Sequence, residues 1–358
     1  MERTALIQAP LPHIKSVNIW LLRGDPLTLI DTGPRTDEAL AALEAGLRRE
    51  GVRLEDIELV IPTHHHLDHS GLIATIVARS GARVAALDRA AEYGLTYAER
   101  SAADRSFSVE LMRHHGVPES VIEANEGFWD FIRDTSEAYT TDIVLSDGDV
   151  ITAGSRDLRI LARPGHSTTD ALLFDEASAT AFVGDHLLAG ISSNAEIVPA
   201  AEPTGSRPRA RIEYLGNMRR TASMPLQRLL TGHGDPVNDH TRLVLRRFSE
   251  HQRRCQRILG VLEQGPAQAY GIAGHLWSAR TVAEQPLLVV WEVLGHLDLL
   301  LDEGTVSEEI RDDGSRYGKS WFSIREPGRL GRDSGASTDR ARATPILYSG
   351  VDRAAELE

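Results

Sequence analysis

The stretch PTHHHLDHSG, Pro62 to Gly71, places four histidines and an aspartate in six consecutive positions directly after the apolar run IELVI. So many ligand-type side chains at fixed offsets behind one strand are strong evidence of a metal site. In an extended segment alternate side chains point the same way, so His64 and His66 can grip one ion while His65 points away. Asp68 and His69 follow where SGLIATIVARSG begins to read as a helix, and so face a second position beside the first. One stretch can thus serve two metals. A lone histidine is more often a hydrogen-bonded core or surface residue than a ligand. Fixed offsets in a chain with only 14 histidines among 358 residues make that reading poor here.

The surrounding pattern supplies the strands. SVNIWLLRG and PLTLIDTG flank a Gly-Asp-Pro turn and predict a hairpin. TDEALAALEAGLRREG has helical spacing, an N-cap threonine and a closing glycine. IELVI, the helix from Ser70 and ARVAAL then alternate strand, helix, strand, which begins a layered α/β domain. Strand character returns in DIVLSDGDVITAG, DLRILARPG, DALLFDE and ATAFVGD. Three later strand ends carry ligand-type residues: His166 in RPGHSTTD, Asp185 in FVGDHLLAG and His233 in LLTGHGDP. Each alone is explained by a core histidine or a turn residue. With the first motif they bring seven such residues to strand-end loops, where α/β folds assemble sites, and this predicts one shared centre.

Residues 88–141 interrupt the alternation, being rich in Ala, Glu and Arg and holding Tyr93, Tyr97, Phe107, Phe128, Trp129, Phe131 and Tyr139. They predict a mostly helical insertion. It is either a satellite helical pair with its own apolar seam, or a cap whose aromatics, Phe128 and Trp129 among them, line an acyl pocket over the metals. Further on, 239–264 forms a long amphipathic helix, PAQAYGIAGHLW and PLLVVWEVLGHLDLLLDEG two more, and TVSEEIRDDGSRYGKSWF alternates around an Asp-Gly turn as a wing would. The expected division is a main domain at 1–238, a small C-terminal domain at 239–325 and a flexible tail at 326–358, in keeping with a length beyond one compact domain.

A net charge of −13 disfavours broad nucleic-acid binding, and Glu292, Asp298, Asp302 and Glu303 on the helix that would read DNA would repel phosphate. The arginines of 242–257 either touch RNA or form a solvated face. Cys255 stands alone, so no intramolecular disulfide and no thiolate-rich zinc knuckle can form. MERTALIQAPLPHIKS lacks the order of a signal peptide and no apolar run approaches a membrane span, so a cytoplasmic location without membrane contact is expected.

With these motifs in order, the chain resembles the metallo-β-lactamase superfamily: H-x-H-x-D-H as His64, His66, Asp68 and His69, then Gly165-His166, Gly184-Asp185 and Gly232-His233-Gly234. The resemblance implies an α/β fold, a four-layer αβ/βα sandwich, with the helical insertion and a small C-terminal winged-helix-like domain added. It implies that His64, His66 and His166 hold one metal, that Asp68, His69 and His233 hold the other, and that Asp185 bridges them. β-Lactamase subclasses with a cysteine ligand are disfavoured because Cys255 lies outside every motif, and the remaining subclass lacks the bridging aspartate. Flavodiiron proteins carry a glutamate where His66 stands. The likeness is greatest to the glyoxalase II branch and to β-lactamase-like proteins with a winged-helix-like C-terminal domain, which include thioesterases and a single-strand ribonuclease.

Two divalent cations are therefore expected. Zinc suits a nitrogen-rich, cysteine-free set, and iron and manganese also accept histidine and carboxylate. Between two such cations, water ionises near neutral pH and attacks an acyl or phosphoryl centre, with Asp68 orienting it. The leading expectation is a hydrolase of an acyl thioester or ester, small or carrier-bound, with Asp68 and Asp185 as the catalytic aspartates. A ribonuclease or phosphodiesterase, a lactonase, or a metal-bearing scaffold that dimerises through its C-terminal domain are the alternatives.

Overall fold

The computed structural model describes residues 4–11, 15–200 and 206–320. The tail expected at 326–358, and the last residues of the C-terminal domain expected at 239–325, lie outside them.

Two sheets carry the chain. The first runs in the order β1 (Thr4–Leu11), β2 (Lys15–Leu22), β3 (Thr28–Ile30), β4 (Leu59–Ile61), β5 (Arg83–Leu87), β6 (Ile143–Leu145). Its β1, β2 and β3 pair antiparallel and the rest parallel. The second has the order β11 (Arg228–Thr231), β10 (Thr180–Gly184), β9 (Ala171–Asp175), β8 (Arg156–Ala162), β7 (Val150–Ala153), antiparallel except for the parallel β10–β11 pair. β9 is buried along its whole length, as a strand covered on both faces must be. Trp20, Leu22, Ile30, Ile61, Leu158, Leu173, Phe182 and Leu230 fill the space between the sheets.

Helices close both outer faces. α1 (Asp37–Arg49) is capped by Thr36, whose hydroxyl accepts from Ala39 N at 3.1 Å, and turns Ala39, Leu43 and Leu47 onto the first sheet. A one-turn helix α2 (Leu67–Ser70) and α3 (Ile73–Ser80) follow β4. The single helix expected from Ser70 is thus divided, and Asp68 and His69 belong to the short first piece. The break falls at Leu72, whose N–H is drawn to Gly33 O at 3.1 Å; beside it, a Cβ at Gly71 would collide with Leu67 O, Thr135 O and Arg35 N, so the chain passes there as glycine. Residues 63–66, expected to be extended, are a run of bends.

The insertion is helical, as α4 (Asp88–Leu95), α5 (Tyr97–His114), α6 (Glu119–Ala124) and α7 (Glu126–Asp134). Past the second sheet come α8 (Ala210–Ala222), α9 (His240–Leu262), α10 (Ala269–Leu276), α11 (Ala279–Glu284), α12 (Pro286–Asp302) and the hairpin β12 (Val306–Arg311)–β13 (Gly314–Lys319). Arg311 pairs with Gly314, so the hairpin turns on Asp312-Asp313, not on the Asp-Gly pair one residue later.

The C-terminal helices do not keep a core to themselves. Leu111, Met112 and Ile122 of the insertion, Leu172 and Val183 of the second sheet, Tyr214 and Leu215 of α8, and Ile258, Ile272, Val290 and Leu294 of the last helices form one apolar cluster. The insertion is therefore no isolated satellite pair. The acidic residues of α12 are also committed. Arg207 grips Asp298 through two hydrogen bonds of 2.7 and 2.8 Å, Arg209 reaches Asp302 at 3.4 Å, and Arg211 pairs with Glu292. They neutralise three arginines rather than repelling phosphate, a partnership that spacing along α12 cannot reveal.

Phe182, fully buried between the sheets, meets Trp20 edge-on with ring centroids 6.2 Å apart. Phe182→Ala should destabilise the fold by about 3–5 kcal/mol through lost burial and an unfilled cavity. Chemical denaturation of both proteins checks it, and an unchanged midpoint would contradict the packing described.

Candidate metal centre

All seven ligand-type residues meet where strand ends of both sheets open on one side of the sandwich. The β4–α2 connection and α2 carry His64, His66, Asp68 and His69; His166 lies between β8 and β9, Asp185 follows β10 and His233 follows β11. Their free atoms form two adjoining groups. His66 Nδ1 stands 3.0 Å from His64 Nε2 and 3.1 Å from His166 Nε2, and His166 Nε2 is 3.7 Å from Asp185 Oδ2. Beside them, His233 Nε2 is 3.1 Å from Asp68 Oδ2 and 3.3 Å from Asp185 Oδ2, while His69 Nε2 is 3.5 Å from both Asp68 Oδ2 and Asp185 Oδ1. Asp185 faces both groups. Its neighbour strand must come close: a Cβ at Gly232 would strike Asp185 Oδ1 and His69 Cε1.

The opposite ring nitrogens are tied down, and this holds each imidazole in one orientation. His69 Nδ1 bonds Asp31 Oδ2 at 2.8 Å, His166 Nδ1 bonds Asn194 O at 3.0 Å, His233 Nδ1 bonds Ser16 O at 2.8 Å, and His64 Nδ1 lies 3.1 Å from the Thr63 hydroxyl. Asp31, Ser16 and Asn194 were not legible as site residues. Asp31 sits in IDTG, a strand followed by Asp and Gly like the other ligand loops, and that was the only signal; the other two act through backbone carbonyls.

These residues fit two divalent cations. An ion bound at about 2.0–2.1 Å spaces tetrahedral ligands about 3.3–3.4 Å apart, which matches the distances above. His69 Nε2, His233 Nε2 and Asp185 Oδ1 are buried with no hydrogen-bond partner, a costly arrangement unless something is coordinated there. The electrostatics agree. Burial, with the neighbouring histidines, holds His64 and His66 well below the ordinary histidine range, leaving them neutral and able to coordinate. Burial acts the same way on His69 and His233, yet the carboxylates of Asp68 and Asp185 outweigh it, raising His69 and pushing His233 up to about 10. Protons there balance the carboxylates as cations would.

His65 turns away from the ligand atoms. Its backbone N–H donates to the Thr169 hydroxyl at 3.0 Å, its ring lies 3.9 Å from that of Tyr93, and Nε2 is 3.9 Å from Glu196. Burial beside Asp104 and Asp170 pushes the Glu196 carboxyl up to about 8, so it keeps its proton at neutral pH. A second grouping, His251, Glu292 and His296, lies among the C-terminal helices, but the Arg211 guanidinium already occupies the Glu292 carboxylate.

A cavity of about 1270 Å³ opens from His66, Asp68, His166, Asp185 and His233. Tyr93, Tyr97, Phe107, Phe128, Trp129 and Phe131 of the insertion line it, and Trp277, Leu287, Leu288 and Trp291 of the C-terminal helices complete the wall. Tyr139 does not: it is buried on the outer side of the first sheet, where Gly94 makes room for its ring.

Of the six arginines of α9 only Arg247 is buried, and Arg242, Arg246, Arg253 and Arg257 are exposed. Arg247 is buried on the Leu188 and Ile191 carbonyls, Arg246 donates to Ala189 O, Arg257 donates to Leu276 O, and Arg254 sits 4.5 Å over the Trp277 ring in the cavity wall.

A two-sheet sandwich with helices outside and a His/Asp cluster at one edge defines a metal-dependent hydrolase fold, and the family profile described as metallo-beta-lactamase superfamily matches residues 14–246. The chain belongs to the metallo-β-lactamase superfamily. It is 30% identical over 321 residues to the probable metallo-hydrolase YqjP of Bacillus subtilis, covering 86% of this chain and 94% of that one. Over 174 residues it is 31% identical to the human acyl-coenzyme A thioesterase MBLAC2, covering 47% of this chain and 57% of that protein. The crystal structure of the metallo-beta-lactamase family protein TTHA1429 from Thermus thermophilus superposes with a TM-score of 0.75 at 28% identity, covering 88% of this chain and 98% of that one. Among the described residues no helix is long and apolar enough to cross a membrane.

Asp31→Ala should weaken binding of one metal ion about 10–100-fold, because His69 loses the partner that aims its Nε2. Competition with a chromophoric chelator measures it, and unaltered affinity in a folded variant would remove Asp31 from the centre. Zinc loading near neutral pH should release protons from His69 and His233, since coordination requires their free lone pairs. A pH-stat titration without proton release would contradict this.

Proposed function

We propose that this chain is a metal-dependent hydrolase of acyl thioesters or esters. The observation that carries the reading is the aromatic-walled cavity that begins at the ligand cluster and runs between the insertion and the C-terminal helices. An apolar acyl chain is its natural occupant, because each Å² of apolar surface it buries contributes about 25 cal/mol. The name of MBLAC2, an acyl-coenzyme A thioesterase, supports the same class.

In this reading His64, His66 and His166 would hold one cation, Asp68, His69 and His233 would hold the other, and Asp185 would serve both. Such a pair, when bound, supplies hydroxide at neutral pH and polarises the scissile carbonyl. The rest is done by the chain. Asp68 presents its carboxylate on the cavity side of His233 and orients the attacking oxygen. Phe128 and Trp129, whose rings meet edge-on at 5.3 Å, hold the acyl group beside it. Burial of the ligand cluster excludes bulk water, which strengthens every charge interaction on the way to the tetrahedral intermediate. A thiol of ordinary acidity, with a pKa of about 8.5, leaves readily as thiolate.

A phosphodiester substrate is the second reading: Arg242 and Arg253 of α9 are exposed, while Arg247 is buried on backbone carbonyls and Arg254 lies over Trp277. Homodimerisation through the C-terminal helices and a cytoplasmic, DNA-free working environment stay part of the proposal.

Metal-loaded protein should turn over acyl thioesters in preference to lactones and oligonucleotides in a substrate panel. Phe128→Ala or Trp129→Ala should raise KM more for long acyl chains than for short ones. Salt-sensitive cleavage of single-stranded RNA without thioester turnover would sink the proposal.

A further inference from the structure

The loop that leaves β10 carries Asp185 and returns past His166, and almost every bond that shapes it comes from helices outside the ligand motifs. Arg247 of α9, 5% exposed, donates to Leu188 O at 2.6 Å and Ile191 O at 2.5 Å. Arg211 of α8, with no exposure at all, donates to Ser193 O at 3.5 Å and Asn194 Oδ1 at 3.1 Å. The Asn194 amide donates to Leu288 O of α12 at 2.8 Å, and Glu292 of α12 holds Arg211 from behind. The far end of this chain of contacts is the metal centre. Asn194 O accepts from His166 Nδ1 at 3.0 Å, and the Ser193 hydroxyl donates to Asp185 O at 2.5 Å.

We infer that Arg211, backed by Glu292, is a positioning residue: through Asn194 it sets the orientation of His166 and through Ser193 the placement of Asp185, so that α12 is part of the hydrolytic centre although it supplies no ligand. A guanidinium and a carboxylate taken out of water add little net stability compared with well-packed apolar side chains. A pair that stability does not require can instead be retained for the orientation it imposes. Arg211 is suited to that task because its planar fork serves Ser193, Asn194 and Glu292 at once, fixing the loop in both distance and direction. An imidazole swung by the loss of its Nδ1 partner would present Nε2 at the wrong angle. This inference rests on the metal centre described above.

The test pairs metal binding with fold stability in the full chain. The double variant Arg211→Met, Glu292→Leu removes both charges without stranding either one. It should unfold near the wild-type denaturant concentration, yet bind one of its two zinc ions about 10–100-fold more weakly in chelator competition. The visible absorption of the cobalt-substituted protein should change, and kcat should fall with KM little altered. If the double variant does not fold, Asn194→Ala, which removes only a half-buried amide, should shift affinity and cobalt spectrum in the same direction. A folded variant of either kind with wild-type affinity and spectrum would overturn the inference. Wild-type chain that takes up no zinc or cobalt would overturn the metal centre itself, and the inference with it.

Discussion

A carboxylate with no solvent around it must have its lone pairs answered, and the answers given to Asp31 shape the centre above it. Asp31 ends β3 and is 1% exposed. Its Oδ1 accepts from Thr63 N at 2.7 Å, and its Oδ2 accepts from the Thr63 hydroxyl at 3.0 Å and from His69 Nδ1 at 2.8 Å. Because that hydroxyl gives its proton to Asp31, it can only accept from His64 Nδ1, which leaves His64 Nε2 a bare lone pair. One carboxylate thereby fixes the tautomers of two imidazoles that serve different ion positions. It also ties the end of β3 to the start of the histidine loop, so the loop cannot shift without exposing a buried charge.

The members of the cluster could be read from sequence because they follow apolar strands, His166, Asp185 and His233 directly after glycine, where side-chain period and turn chemistry both leave a mark. The members that orient them could not. Ser16 and Asn194 work through backbone carbonyls, which any residue would offer, and Asp31 has the appearance of an ordinary turn aspartate. Helical periodicity showed that α9 and α12 bury one face, but it does not say against what. Glu292 and Asp298 therefore looked like free charges until Arg211 and Arg207 appeared opposite them. The break between α2 and α3 escaped for a related reason. The Leu72 N–H that would continue the helix is drawn to Gly33 O, in a segment distant in sequence.

Gathering five histidines and two carboxylates into close contact is unfavourable for an empty protein, and the directions in which four of the histidines titrate show how the strain is shared. His64 and His66 give up their affinity for protons, while His69 and His233 hold theirs against the carboxylates. Cations bound only by the folded chain would remove this conflict and add to its stability by mass action.

The cavity wall is built from α4, α5 and α7 on one side and from Trp277, α11 and α12 on the other, with the ligand-type loops at its floor. Phe128 and Trp291 can therefore be exchanged for smaller, larger or more polar side chains without touching any residue that binds an ion. Such a layout keeps the part of the chain that shapes the cavity separate from the part that gathers the cluster, so either can change while the other keeps its geometry.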